Sequence, residues 1–327
     1  MKVLLLGATG LLGHNVLLRL LGEGHRVVAL VRRTDGIRVP KGEWEAVTGS
    51  LLDYNILSQA AEGCDAVVNC AGITDMSLRR YDDYLPVNRD LCGLLVRLLN
   101  ERGISTLVHT STANTIGFGT AGKSAAESAP MAPPFLGSYY ADSKREGEQI
   151  VLEAATEGRH VVVVNPGFMI GPWDVKPSSG RLLLAAYRKS VMLAPKGGKA
   201  FVHVSDVAQV IVRALTAGEN GSRYLAVNSH GCMSIKELYR LQAEVCGYRQ
   251  KVVGIPNGLL LAAGKMGDLL RWMGVRTQLS TRNVRQLLVS EHYESGRAQV
   301  DLEMPQTPVA EAIKDFYDWK YNKKITI

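Results

Sequence analysis

The first strand candidate, Val3-Leu4-Leu5-Leu6, runs straight into Gly7-Ala8-Thr9-Gly10-Leu11-Leu12-Gly13, and a helical pattern follows at 15–21. A glycine triplet in that spacing, between a buried strand and a helix, admits few folds. Gly7 permits a tight turn, Gly10 lets the backbone approach a pyrophosphate, and Gly13 lets the helix lie close on the strand. The N-terminus of the helix offers free N–H groups and the positive end of a dipole, which attract an anion. Gly7, Thr9, Gly10, Leu11, Leu12 and Gly13 are therefore candidate contacts to a dinucleotide phosphate.

Short apolar runs recur at 26–31, 45–47, 66–69, 106–109 and 160–164, with helical patterns at 56–61, 88–101 and 140–157 between them. Runs that are apolar throughout suit strands buried on both faces. The alternation predicts an α/β fold, a Rossmann-type doubly wound parallel sheet. After Pro166, Gly and Pro become frequent, helices look irregular and strands look few. We expect a dinucleotide-binding domain at 1–165 and a smaller C-terminal substrate-binding domain at 166–327. Segments near 201–230 return to the first domain, and a strand at 224–227 rejoins its sheet.

The chain has 327 residues, enough to bury a large core. Its formal charge of +7 is mild, and no Lys/Arg tract with interleaved aromatics points to nucleic acid. Five scattered cysteines (Cys64, Cys70, Cys92, Cys232, Cys246) form no C-x-x-C pair and no zinc-like cluster with histidine, so no metal site is expected. They read as reduced thiols of a cytoplasmic protein. The apolar start is too short and too interrupted for a signal peptide, and no membrane span is expected.

Tyr140 and Lys144 stand four residues apart, on one helix face. A cation beside a phenol favours the phenolate and draws its pKa down from about 10. Such a pair suits proton exchange with a hydroxyl/carbonyl couple. Past the second strand, Arg32-Arg33 takes the place where an acidic residue would bind the ribose of NAD. A guanidinium there suits a 2′-phosphate, so NADP(H) is favoured over NAD(H). Asp35 lies beyond the expected place.

These residues resemble the extended form of the short-chain dehydrogenase/reductase superfamily. The likeness points to its dihydroflavonol-reductase-like, 3β-hydroxysteroid-dehydrogenase-like and NAD-dependent epimerase branch. It covers nearly the whole chain. Gly7 to Gly13 matches the phosphate loop and Tyr140 to Lys144 the catalytic pair. His109-Thr110-Ser111-Thr112-Ala113-Asn114 matches the strand end carrying a third hydroxyl. Asn165-Pro166-Gly167-Phe168-Met169-Ile170-Gly171-Pro172 resembles the segment that passes the nicotinamide, and 201–208 and 295–298 resemble later segments of that branch.

The resemblance implies roles residue by residue. Tyr140 would give or take the proton at the substrate oxygen. Lys144 would lower the Tyr140 pKa and bond the nicotinamide ribose. Thr112 would bond the substrate oxygen, with Ser111 the contender. Asn88 would be a cofactor neighbour or support a proton relay. Cys70, Ala71 and Gly72 would pass the cofactor, and Pro166 and Phe168 would lie near its nicotinamide. Where the family often has Asp-Leu beside the adenine, this chain has Ser50-Leu51, which leaves that contact to Leu51.

Asp206, His109 and His203 read as structural, and Cys70 as a small packed residue. Met169, Ile170, Trp173, Leu182, Leu183, Met192 and Phe201 are candidates for an apolar pocket. Residues 177–180 read as a mobile loop over it. The apolar stretch 258–276 reads as a cover over the pocket, the other option being a rest on a membrane surface.

The leading expectation is an NAD(P)-dependent oxidoreductase acting on a small-molecule carbonyl or secondary alcohol. A nucleotide-sugar epimerase or dehydratase would use the same triad, and a non-catalytic NADP-binding sensor or scaffold would usually lose the Tyr/Lys pair. Family members often dimerise through the helices matching 88–101 and 140–157, which makes a homodimer an expectation here.

Overall fold

The structure, a computed structural model, describes residues 1–34, 37, 39 and 44–322, with the side chain of Asn322 left out. Asp35 lies outside the described residues. The first half alternates β1 (Lys2–Leu6), α1 (Leu11–Gly22), β2 (Arg26–Val31), β3 (Trp44–Thr48), α2 (Tyr54–Ala60), β4 (Ala66–Asn69), α3 (Leu91–Arg102), β5 (Thr106–Thr110), α4 (Tyr139–Leu152) and β6 (His160–Pro166). Strands pair in the order β3-β2-β1-β4-β5-β6, and every pair is parallel.

The side chains of β1 explain why such strands are apolar throughout. Val3 and Leu5 enter the core beneath α1, while Leu4 and Leu6 enter the core beneath α2, α3 and α4. All four are fully buried. Each such side chain favours the folded state by roughly 1.5–3 kcal/mol over exposure.

The second half supplies β7 (Phe168–Ile170), α5 (Gly180–Ala186), β8 (Val191–Ala194), β9 (Gly198–His203), α6 (Val204–Arg213), β10 (Ser222–Ala226), β11 (Cys232–Ser234), α7 (Ile235–Val245), β12 (Lys251–Gly254), α8 (Asn257–Trp272), α9 (Thr281–Gln286), α10 (Gly296–Asp301) and α11 (Val309–Tyr317). β10 joins β6 in parallel and completes a seven-stranded sheet. Strands are not few beyond Pro166: β7, β9 and β11 make one small sheet, and β8 and β12 another. They are short, three to six residues, and so leave little periodicity to read.

Helix α6 returns to the main sheet, where its stripe Val204, Val207, Val210 and Ile211 joins the core that α1 also covers. Its Asp206 carboxylate accepts from the backbone N–H of Thr307 (2.9 Å) and from its hydroxyl (2.7 Å), a structural task. His203 is also structural: its Nδ1 caps α6 by accepting from the Ser205 N–H. Among the described residues no helix is long and apolar enough to cross a membrane.

Candidate functional site

The C-terminal ends of β1, β4, β5 and β6 share one rim of the sheet, where open α/β sheets hold their ligands. Gly7 leaves β1 at φ +84°, a conformation that favours glycine. A Cβ there would stand 2.7 Å from the backbone of Cys70 and Ala71. A Cβ on Gly13 would lie 2.1 Å from the Gly7 oxygen, so α1 seats on the turn only with glycine. Gly10 is different: its nearest neighbour would be the Gly7 oxygen, at 3.4 Å. Gly10 and Thr9 are exposed, Leu11 is half-buried and Leu12 buried. The α1 N-terminus carries no side-chain cap and no acidic residue in its first turn. Uncapped N–H groups beneath an open glycine fit an anionic pyrophosphate.

Neighbouring strand ends border this cradle. Leu6 pairs in register with Leu30, which brings the exposed Arg32 and Arg33, just past β2, to the same edge. Leu51 is half-buried against the apolar cluster of that flank, and the Ser50 hydroxyl accepts from the Leu52 N–H at 3.2 Å. Cys70 follows β4, and the Thr110 hydroxyl donates to its sulfur. Burial pushes its thiol up to about 12, which suits packing and not nucleophilic attack. The Ala71 N–H binds the Asn69 carboxamide oxygen (3.0 Å), and the Asn69 amide meets His109 Nδ1 at 3.1 Å. Burial and the nearby Lys144 charge hold the His109 pKa well below its ordinary value, so its part is structural.

Asn88 sits in a short π-helix, Pro86–Asp90, that runs directly into α3, so the helical stretch expected at 88–101 starts in π geometry. Its side-chain oxygen accepts from the Ile73 N–H at 2.8 Å, and its amide donates to the Ile73 carbonyl and the Ser143 hydroxyl. It thereby ties the turn after Gly72 to α4. Gly147 permits that approach, since a Cβ there would lie 1.9 Å from the Asn88 carbonyl oxygen.

Tyr140, Lys144 and Thr112 come together. The Thr112 hydroxyl lies near enough to the Tyr140 phenol to favour its ionised form, and it accepts from the Asn114 N–H at 3.3 Å. The adjacent Ser111 hydroxyl is buried and meets no partner among the described residues. Lys144 is 3% exposed and donates to the Thr110 carbonyl at 2.7 Å. Burial draws its ammonium below the ordinary lysine value, opposed by Cys92, Glu148 and Cys70. Burial holds the Tyr140 phenol above the ordinary tyrosine value, against the pull of the Thr112 hydroxyl. This corrects the expectation that Lys144 draws the phenol toward neutrality. Within the polypeptide the ammonium is bonded to Thr110, and desolvation dominates at Tyr140.

A buried network that sequence reasoning missed stands behind Thr112. The Asn165 amide donates to the Thr112 carbonyl (3.2 Å), the Thr115 hydroxyl (3.0 Å) and the Glu148 carboxylate (2.9 Å). Glu148 also accepts from the Thr115 hydroxyl and from Arg223. The signal was present, because Tyr140, Lys144 and Glu148 continue one four-residue spacing along α4.

Pro166 ends β6 in a buried position. Phe168 is half-buried and edge-on to Phe201, with ring centres 5.3 Å apart. The apolar pocket is not lined by the residues expected. Ile170, Leu183 and Phe201 are buried core, with Leu182 and Met192 packed against the same cluster, Met169 against the main-sheet core, and Trp173 stacked on His14. The loop at 177–180 is pinned, since the Asp174 carboxylate accepts from the N–H groups of Ser178 and Gly180. The crevice beside Tyr140 is lined instead by Met76, Leu78, Tyr84, Tyr139, Arg271 and Arg282, with Ser138 and Asn283. Arg271 donates to the carbonyls of Met76 and Leu78, and Asn283 to that of Met76. Arg271 of α8 and Arg282 and Asn283 of α9 thus border the crevice, while the apolar residues of 258–276 do not line it.

The chain matches the NAD dependent epimerase/dehydratase family over residues 3–228. It is 28% identical to the sterol demethylase protein B of Methylococcus capsulatus over 324 residues, 98% of each chain. It is also 28% identical to a putative dihydroflavonol 4-reductase of Synechocystis sp. over 327 residues, 97% of this chain and 93% of that one. Its fold matches the structure of MoeE5 in complex with UDP-glucose and NAD, with a TM-score of 0.78 and 21% identity over 99% of both chains. A uniformly parallel sheet, a glycine cradle on β1 and a Tyr/Lys pair on α4, joined to a family match over more than half the sequence, make this chain a member of the NAD dependent epimerase/dehydratase family.

Proposed function

We propose that this protein reduces the carbonyl of an apolar small molecule to a secondary alcohol. The observation that carries this reading is the approach of the Tyr140 phenol to the Thr112 hydroxyl past the end of β5, with the buried Lys144 one turn further along α4. A nicotinamide cofactor, when bound, supplies the hydride to the carbonyl carbon. Tyr140, held protonated by burial, delivers its proton to the developing alkoxide. Thr112 orients that oxygen by a hydrogen bond. Lys144 holds the cofactor ribose, and Asn88 positions α4 against the turn at Gly72. Residues 1–165, with returns near 201–230, form the cofactor part, and 166–327 the substrate part.

Gly7, Thr9, Gly10, Leu11, Leu12 and Gly13 hold the pyrophosphate. Leu51 would contact the adenine, Cys70, Ala71 and Gly72 would pass the cofactor, and Pro166 and Phe168 would lie near its nicotinamide. Arg32 and Arg33 favour NADP(H) through its 2′-phosphate. A relative named for sterol demethylation supports an apolar substrate. A nucleotide-sugar epimerase remains the second reading, favoured by the fold match to a chain that binds UDP-glucose and NAD.

The test is cofactor oxidation over a panel of sterol-like and long-chain ketones, aldehydes and nucleotide sugars, with NADPH and NADH titrated separately. Turnover of apolar ketones with NADPH is expected. Conversion of a nucleotide sugar alone overturns the reading, and tighter NADH binding removes the cofactor preference.

A further inference from the structure

Helix α8 gives the protein only one narrow side. Its buried residues are Gly264 and Gly267. Added Cβ atoms there would lie 3.0 Å from Thr281 Cα and 2.2 Å from the Leu279 oxygen, so the helix rests on the start of α9 through glycine. The outer side is apolar and faces solvent. Leu259, Ala262, Met266, Leu269 and Met273 recur in steps of three and four, which makes one stripe along the helix. Leu259 is 64% exposed, Met266 57%, Met273 64% and the flanking Trp272 82%. Val275 and Leu279 extend the exposed apolar surface beyond the helix. A surface of this kind marks an interaction site.

Charge selects the occupant. Residues 249–285 hold seven cations (Arg249, Lys251, Lys265, Arg271, Arg276, Arg282 and Arg285) and one anion, Asp268, a net +6 of the chain's +7. Arg276 pairs with Asp75, Arg271 binds carbonyls and Arg282 covers the Tyr139 ring. Arg249, Lys251, Lys265 and Arg285 are exposed. Two copies joined through this face would bring like charges together, whereas an anionic lipid surface complements both the cations and the apolar stripe. Too short and too charged to span a bilayer, α8 suits a position in its interface.

We propose that α8 and the segment running to Arg285 dock this protein on an anionic membrane surface, with Leu259, Met266, Leu269, Trp272 and Met273 at the boundary between headgroups and acyl chains. The docked segment is the one whose Arg271, Arg282 and Asn283 line the Tyr140 crevice, so an apolar substrate would enter from the bilayer. That last step rests on the proposed reductase reading; the docking itself does not.

Co-sedimentation with phosphatidylcholine vesicles, with and without about 30% phosphatidylglycerol, reads docking directly. The anionic vesicles should bind at least about tenfold more tightly than neutral ones, and high salt should weaken the binding. Brominated acyl chains should quench the tryptophan emission, and Trp272→Phe should abolish that quenching. The double variant Met266→Glu/Leu269→Glu, at exposed positions, should lose sedimentation while keeping NADPH binding and melting midpoint. Failure to bind anionic vesicles overturns the proposal, as does binding that survives in the double variant. So does a stable dimer that the double variant splits. Docking without reduction of any ketone would leave the surface standing and remove the reductase reading; reduction without docking would do the reverse.

Discussion

The Lys144 ammonium donates to the Thr110 carbonyl over 2.7 Å, while the Tyr140 phenol, one turn earlier on α4, approaches Thr112. The Lys144 bond thus ties α4 to the end of β5, and Tyr140 stands on the same helix face beside the Thr112 side chain. Lys144→Met removes both the cation and this bond. We expect turnover to fall by about 10²-fold or more, with a stability loss of roughly 1–3 kcal/mol from the unmet buried carbonyl. Steady-state kinetics and urea unfolding check the two effects separately.

Gly10 and Gly13 differ in what a methyl group would meet, and their alanine variants should differ in kind. Gly13→Ala drives a Cβ into the Gly7 oxygen at 2.1 Å. It should cost about 1–3 kcal/mol of stability as α1 is pushed off the turn. Gly10→Ala meets only the Gly7 oxygen, at 3.4 Å. It should fold normally and bind cofactor more weakly. Calorimetric titration with NADPH beside thermal melting separates the two.

Glu148 is 2% exposed and accepts from Thr115, Asn165 and Arg223. Glu148→Gln keeps the volume but places an amide donor among donors. Stability should drop by about 1–3 kcal/mol. Because Asn165 also holds the Thr112 carbonyl, turnover should fall while the cofactor dissociation constant stays near its original value. Unchanged turnover in a folded Glu148→Gln protein would show that the network does not reach Thr112.

Buried tyrosines set a direction for alkaline stability. Burial pushes Tyr84 and Tyr239 each up to about 12, and raises Tyr140 as well. The unfolded chain ionises these phenols near the ordinary value of about 10, so above that pH it binds fewer protons than the folded chain. Their contribution is complete below pH 10 and is lost as the pH climbs from about 10 toward 12. Urea midpoints measured between pH 8 and pH 11 should stay level up to about 10 and then decline. A midpoint that rises across that window contradicts the assignment.

The strand–glycine–helix start and the parallel sheet were legible because local rules suffice for them. Buried strands must be apolar on both faces, Gly7 needs a left-handed φ in its own turn, and Gly13 answers a steric demand from Gly7, six residues before it. The Tyr140/Lys144 pair was legible through helical spacing. Its electrostatics were not, because the Thr110 carbonyl that engages Lys144 arrives from another strand. The crevice was illegible for the same reason. Met76 and Leu78 meet Arg271 and Asn283 across nearly two hundred residues, a contact that periodicity does not carry. Met169, Ile170, Leu183 and Phe201 were mistaken for pocket lining because core and pocket use the same side chains.

The most direct test replaces one atom. Tyr140→Phe removes the proposed proton donor and leaves the ring, the fold and the glycine cradle in place. With an apolar ketone as substrate, this account predicts a fall in kcat of at least about 10²-fold, with NADPH affinity and melting midpoint unchanged. Turnover at the level of the original protein would contradict it.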